Sequence, residues 1–139
     1  MRGEIRSYRD LEVWQEGVAL VVSTYEVVKL LPSAERYGLS SQMCRAATSI
    51  PANVAEGHAK RGRPYLFHVN VALGSTAELE THIEVASRLG YLSADVATRL
   101  AEQAACVGRM LSGLRRSLRL RLLSKAASAG CAVLVLLSR

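Results

Sequence analysis

The sequence predicts an all-α fold, an antiparallel up-down-up-down four-helix bundle, and three observations carry that prediction. Apolar residues recur at steps of three and four through four successive segments of the chain. Half of the residues are apolar, yet only seven are aromatic, and Ala, Leu and Val dominate. Such short side chains suit helix–helix interfaces because they let backbones approach closely. Only three prolines interrupt 139 residues, whereas an all-β chain would carry more turn residues and more Thr, Tyr and Phe. This length suits one domain with a sizeable core. The bundle is placed at 8–125, after an N-terminal arm at 1–7 and before an apolar and basic tail at 126–139.

The first helix is expected from about Tyr8 or Asp10 to Leu31. Trp14, Val18, Val21, Tyr25 and Val28 form one stripe. A second stripe runs beside it through Val13, Gly17, Leu20, Thr24 and Val27. A helix in a monomeric bundle needs only one such stripe. The second, with its small Gly17 and Thr24, is therefore expected to be an oligomer interface, against the alternative of a helix buried more deeply in its own bundle. Pro32 and the polar residues after it end the segment.

The second helix, about Leu39 to Ala59, places Leu39, Met43, Ala46, Ile50 and Val54 at helical steps. Pro51 inside it predicts a kink or a short break. The third, about Tyr65 to Leu89, carries Leu66, Val69, Leu73, Thr76, Leu79, Ile83 and Ala86. Gly90 is placed to close it and Ser93 to cap the fourth helix. That helix has the clearest period, through Val96, Leu100, Ala104, Val107, Leu111, Leu114, Leu118 and Leu122. The last dozen residues show no helical period and are read as disordered or as cover for an apolar patch.

Charge is distributed unevenly. Residues 1–102 hold eleven Lys/Arg against twelve Asp/Glu, while residues 103–139 hold seven Lys/Arg and no acid. The net charge of +6 thus comes from the C-terminal quarter, and such asymmetry points to a polyanion or to a solvated basic face. The candidate nucleic-acid-binding residues are Lys60, Arg61 and Arg63 at a helix junction and Arg109, Arg115, Arg116 and Arg119 along the fourth helix, with Arg121 beside them. Arg prevails over Lys in both groups, which suits forked recognition of phosphate. Aromatics do not interleave with them, which argues against a base-stacking platform.

No catalytic apparatus is visible. Phosphate-cradling glycine motifs and zinc-ligand spacings are missing from the sequence, and no Glu has a His three residues later, as a di-metal bundle centre requires. Glu78 and His82 form an i,i+4 pair outside the apolar stripe and read as a surface charge pair. Gly17, Gly74 and Gly108 read as marks of close helix packing. Cys44, Cys106 and Cys131, odd in number and without a C-x-x-C pair, read as reduced and mostly buried thiols of a cytoplasmic protein. The N-terminus lacks a signal-peptide apolar region. The apolar run from Ala126 to Ser138 is too short for a bilayer, which takes about 20 residues. Neither an enzyme, a metal, a cofactor nor a membrane is expected.

Several blocks carry a family resemblance. They are Asp10-Leu11-Glu12-Val13-Trp14-Gln15, Arg36-Tyr37-Gly38-Leu39-Ser40-Ser41-Gln42, Arg45-Ala46-Ala47-Thr48-Ser49-Ile50-Pro51-Ala52-Asn53-Val54-Ala55-Glu56-Gly57, and Ala72-Leu73-Gly74-Ser75-Thr76-Ala77-Glu78-Leu79-Glu80-Thr81 with Leu89-Gly90-Tyr91-Leu92. In this order they resemble the bacterial four-helix-bundle proteins encoded in intervening sequences of 23S ribosomal RNA genes, over about residues 8–118. The resemblance implies a ring-like homopentamer. The chain is also similar to the accessory variability protein of diversity-generating retroelements, which implies binding of nucleic acid and of a protein partner. Two segments depart from the family pattern, His58 to Pro64 and everything beyond about Arg121. The expected function is non-enzymatic binding of RNA or DNA by a homo-oligomer, mainly through backbone contacts; the alternative is a ring that docks a protein partner.

Overall fold

Ser7 opens the first element. Its hydroxyl accepts from Arg9 N (3.2 Å), and Asp10 Oδ2 accepts from the amides of Ser7 (2.9 Å) and Arg6 (3.0 Å). This reciprocal capping holds a short 3-10 turn, Tyr8–Asp10, whose Tyr8 ring meets Trp14 edge-on at 5.3 Å. In this computed structural model, residues 5–137 are described, with side chains over 5–129. Four α-helices follow: α1 (Glu12–Val28), α2 (Leu39–Lys60), α3 (Gly62–Arg88) and α4 (Ala94–Leu137), with a second 3-10 turn at Ser33–Glu35. The described residues form an all-helical bundle. α2 packs between α1 and α3, and α4 closes the ring by packing on both α3 and α1.

The core lies where the sequence periods meet. Leu20, Met43, Ile50, Leu79, Ile83 and Leu111 are fully buried, one or two from each helix. Each contributes about 1.5–3 kcal/mol through burial. The α1 stripe expected to join a second copy faces inward instead. Val13, Gly17, Leu20 and Thr24 are buried inside the single chain, and Val27 packs half-buried on the same core. Gly17 is small because α1 crosses α2 there: a Cβ on it would stand 3.4 Å from the Pro51 Cβ. Thr24 is tolerated inside because its hydroxyl donates to Leu20 O at 2.8 Å. Of the other stripe, Trp14, Val21 and Val28 also pack partly buried on the core, while Tyr25 is 49% exposed and Val22, outside both stripes, 59%.

Of the kink or short break expected at Pro51, no break is present: α2 runs through it as one helix. Proline lacks an N–H, so one helix bond is lost, but its ring is buried against Gly17 and fills the space that the glycine leaves. At the end of α3, Gly90 (φ 75°) brings Gly90 N to Ser87 O and Tyr91 N to Ala86 O, both at 3.0 Å, the paired bonds of a glycine-closed helix end. Ser93 Oγ then accepts from Val96 N at 3.3 Å and caps α4 as expected. α4 does not stop near Lys125: the segment set apart as a tail continues the helix to Leu137, and Ser138 and Arg139 lie outside the described residues. No helix among the described residues is long and apolar enough to cross a membrane.

Glu35 ties the lower end together. Its carboxylate accepts from Leu39 N at 3.0 Å, at the start of α2, and from the Tyr91 hydroxyl at 3.3 Å, after α3. Burial, and then the neighbouring carboxylate, push the Tyr91 phenol above its ordinary value.

Candidate nucleic-acid interface

The junction between α2 and α3 consists of one residue. Arg61 sits at φ 58°, ψ 177°, a region that glycine alone occupies at ease, and it reverses the chain between the two helices. This backbone costs about 1–3 kcal/mol. Gly62 follows, also at positive φ, and Pro64 stands in the first turn of α3, where amides have no intrahelical acceptor. The stretch from Lys60 to Pro64, with every signal of a loop, is therefore almost wholly helical.

Its three cations have different surroundings. Lys60 turns back along α2, where its ammonium meets Glu56 Oε1 at 2.6 Å and His68 Nε2 at 3.2 Å. The Lys60 hydrogen bond, and then the nearby His68, hold the Glu56 carboxyl below its ordinary value. Arg63 is exposed in the first turn of α3, and Phe67, one turn further, is 63% exposed. Phe67 supplies an aromatic that sequence reading did not place beside the cluster. Arg61 lines a cavity of about 600 Å³ together with Arg6, His58, Tyr65, Arg121 and Lys125. The two basic clusters of the sequence thus meet there through Arg61 and Arg121.

The remaining candidates lie along α4 away from that cavity. Arg109, Arg116 and Arg119 are exposed and Arg115 is half-buried. None of the four is paired with a carboxylate among the described residues, where the ion pairs engage Lys29, Lys60, Arg88, Arg99 and two histidines. Beyond Glu102 the sequence holds no acid to oppose them. Glu78 and His82 stand 3.5 Å apart on α3, and no third ligand-type side chain joins them among the described residues. Cys106 is exposed rather than buried; Cys44 is half-buried, which raises its thiol pKa; and the Cys131 side chain lies outside the described residues.

Sequence reading missed a polar network between α2 and α3. Asn53 Nδ2 donates to Ser49 O (2.8 Å) and Ser49 Oγ (3.1 Å), which leaves Asn53 Oδ1 to accept from His68 Nδ1 at 2.9 Å. Ser49 Oγ also meets Ser75 Oγ at 2.8 Å. With Lys60 a donor only, His68 Nε2 accepts and Nδ1 carries the proton. The signal was present as a polar row along α2, Ser49, Asn53, Glu56 and Lys60, at steps of four, three and four. Below it, Gly57 lets α3 approach so closely that a Cβ would stand 2.7 Å from Tyr65 Cδ2.

The family model described as 23S rRNA-intervening sequence protein matches residues 9–113. The chain belongs to this family. A crystal structure of a protein of unknown function from the S23 ribosomal protein family of Bacteroides thetaiotaomicron VPI-5482 shares the fold, with a TM-score of 0.70 and 22% identity over 75% of this chain and 95% of that one. No curated protein matches. In this 23S rRNA-intervening sequence protein, the block from Arg45 to Gly57 supplies the α2 core, the Pro51 contact to α1, the polar network and the close approach to α3. The blocks around Gly38 and Tyr91 meet through Glu35. Asn53→Ala should cost about 1–3 kcal/mol, because it strands the buried His68 Nδ1–H, while Ser49 keeps its bond to Ser75; thermal unfolding measures it, and an unchanged melting temperature would show the network to be dispensable.

Proposed function

We propose that the chain is a non-enzymatic, homopentameric nucleic-acid-binding protein that engages RNA or DNA backbone through the arginines of α4 and the α2–α3 junction. The observation that carries this reading is the run of arginines on α4 without carboxylate partners among the described residues. Cations already paired gain little from a phosphate, whereas unpaired guanidinium forks are free to bind one and release its counterions. Repetition around a ring would multiply a weak site through avidity. The pentamer rests on family resemblance. The exposed α1 face around Val22 and Tyr25 suits the contact between copies, since the row first assigned to it is buried. Val22→Lys combined with Tyr25→Glu should disperse the assembly without loss of helicity, as read by sedimentation; an unchanged mass would move the contact elsewhere.

Fluorescence anisotropy against structured RNA, single-stranded RNA and duplex DNA across a salt series tests the binding. Affinity should fall steeply as salt rises, and no binding at low salt would sink the reading. A second reading, a ring that docks a protein partner, draws on Leu120 and Leu123, which are 61% and 67% exposed on the same helix as the arginines. Binding through such an apolar surface would change little with salt.

A further inference from the structure

We propose that the cavity beside the α2–α3 junction binds a small amphiphilic anion, an acyl- or aryl-chain compound that ends in a carboxylate or a phosphate. The cavity, about 600 Å³, has a size typical of small-ligand sites. Its wall divides into two chemistries. Arg6, Arg61, Arg121 and Lys125 bring four cationic side chains to one space, with no acidic residue in the lining among the described residues. None of the four is ion-paired among the described residues. Ile5, Leu11, Leu114, Leu118 and Leu122 form the apolar part of the wall with Tyr65, and His58 and Gly62 complete it. Like charges around an apolar-walled hollow repel one another, and such a hollow focuses their field on any anion that enters.

Two further features of the same wall bear on a ligand. The Tyr65 hydroxyl is buried without a hydrogen-bond partner among the described residues, in a side chain only 7% exposed. Burial raises its pKa, and the nearby Arg121 lowers it in part. A buried hydroxyl left unpaired is costly, and a ligand acceptor would satisfy it once entry of the ligand opens the hydroxyl, which solvent does not reach in the free chain. Arg61, moreover, holds a backbone that favours glycine, and strain of this kind is found where a side chain is needed in one place.

The shape favours a small molecule over a polynucleotide. A phosphodiester is flanked by sugars on both sides and cannot send its charge into a hollow with leucines around it, whereas an anion at the end of an apolar chain can. The inference stands on its own observations and shares Arg61 and Arg121 with the nucleic-acid reading.

Calorimetric titration of the full chain with decanoate and with decyl phosphate, both below micelle-forming concentrations, tests it. Decanol and inorganic phosphate serve as the two half-ligands. One site per chain is expected, with at least one of the amphiphilic anions bound ten times more tightly than either half-ligand; the tighter of the two names the headgroup. Arg121→Gln with Lys125→Gln, both at exposed positions, should weaken it tenfold, while the triple Arg115→Glu, Arg116→Glu, Arg119→Glu should leave it within threefold. Tyr65→Phe should melt no lower than the parent without ligand and should bind about fivefold more weakly. Equal affinity for decanol, uptake of several molecules per chain, or unchanged affinity in the Arg121/Lys125 variant would overturn the proposal. So would a Tyr65→Phe variant that melts several degrees lower yet binds as the parent does.

Discussion

Gly57→Ala is expected to destabilise the bundle by about 2–3 kcal/mol, the cost of overpacking a close helix contact. In a helix interior this change normally stabilises by about 0.5–1 kcal/mol, because alanine loses less backbone freedom on folding. At Gly57 the sign reverses. The new Cβ would lie 2.7 Å from Tyr65 Cδ2, 2.9 Å from His68 Cβ and 3.3 Å from the Tyr65 Cα. Two of these atoms belong to the α3 backbone or are bonded directly to it, so no rotamer change relieves them, and α2 and α3 must part. Gly74 provides the control within the same fold: nothing stands within 4 Å of its Cβ position, and Gly74→Ala should stabilise by about 0.5–1 kcal/mol. Urea unfolding of the two variants checks both signs, and a destabilised Gly74→Ala with a neutral Gly57→Ala would refute the packing described for α2 and α3.

Replacement of Arg115, Arg116 and Arg119 by Glu should lower affinity for RNA or DNA at least a hundredfold at about 50 mM salt. The formal charge of the chain falls from +6 to zero, and each lost phosphate contact should flatten the slope of log affinity against log salt by about 0.7–0.9. Helicity should not change, since Arg116 and Arg119 are exposed, Arg115 half-buried, and Glu is a good helix former. Arg88→Gln is the contrasting substitution. That guanidinium already holds Glu84 at 2.7 Å, so its loss should alter affinity less than threefold. A triple variant that binds like the parent would remove α4 from the interface.

The four helices were legible because burial follows the backbone period, and a row of Leu, Ala and Val at steps of three and four marks a buried face wherever it occurs. What such a row meets is less legible. Gly17 does mark an interface, but with α2 of the same chain, and Thr24 is buried in that chain's own core: a stripe records that something packs there and carries no label for its partner. Gly74 was read as a packing glycine and faces open space, since a missing side chain looks alike in either setting. The α2–α3 reversal was hidden because Lys60, Arg61, Gly62, Arg63 and Pro64 together carry loop signals, while the contact that draws the helices together, Gly57 on Tyr65, lies outside the stretch. Of the basic candidates, only Arg109 and Arg116 lie nearly opposite the apolar row of α4 by spacing alone, with Arg115 and Arg119 to one side. The meeting of Arg61 with Arg121 and Lys125 depends on how α4 lies against the junction, and no local pattern encodes it.

The one-residue connection at Arg61 also bears on the order in which the chain assembles. Closing a loop costs more entropy as the loop lengthens, and α2 and α3 are joined by the shortest link between any two of the α-helices. Contacts such as Gly57 with Tyr65 and Asn53 with His68 span eight and fifteen positions, whereas α1 reaches α4 only across most of the chain. Early pairing is cheapest where separation is small, so the α2–α3 hairpin is the natural nucleus, and α1 and α4 dock onto it. Substitutions at Gly57 and Asn53 would then slow refolding, while those at Leu20 or Leu111 would chiefly hasten unfolding.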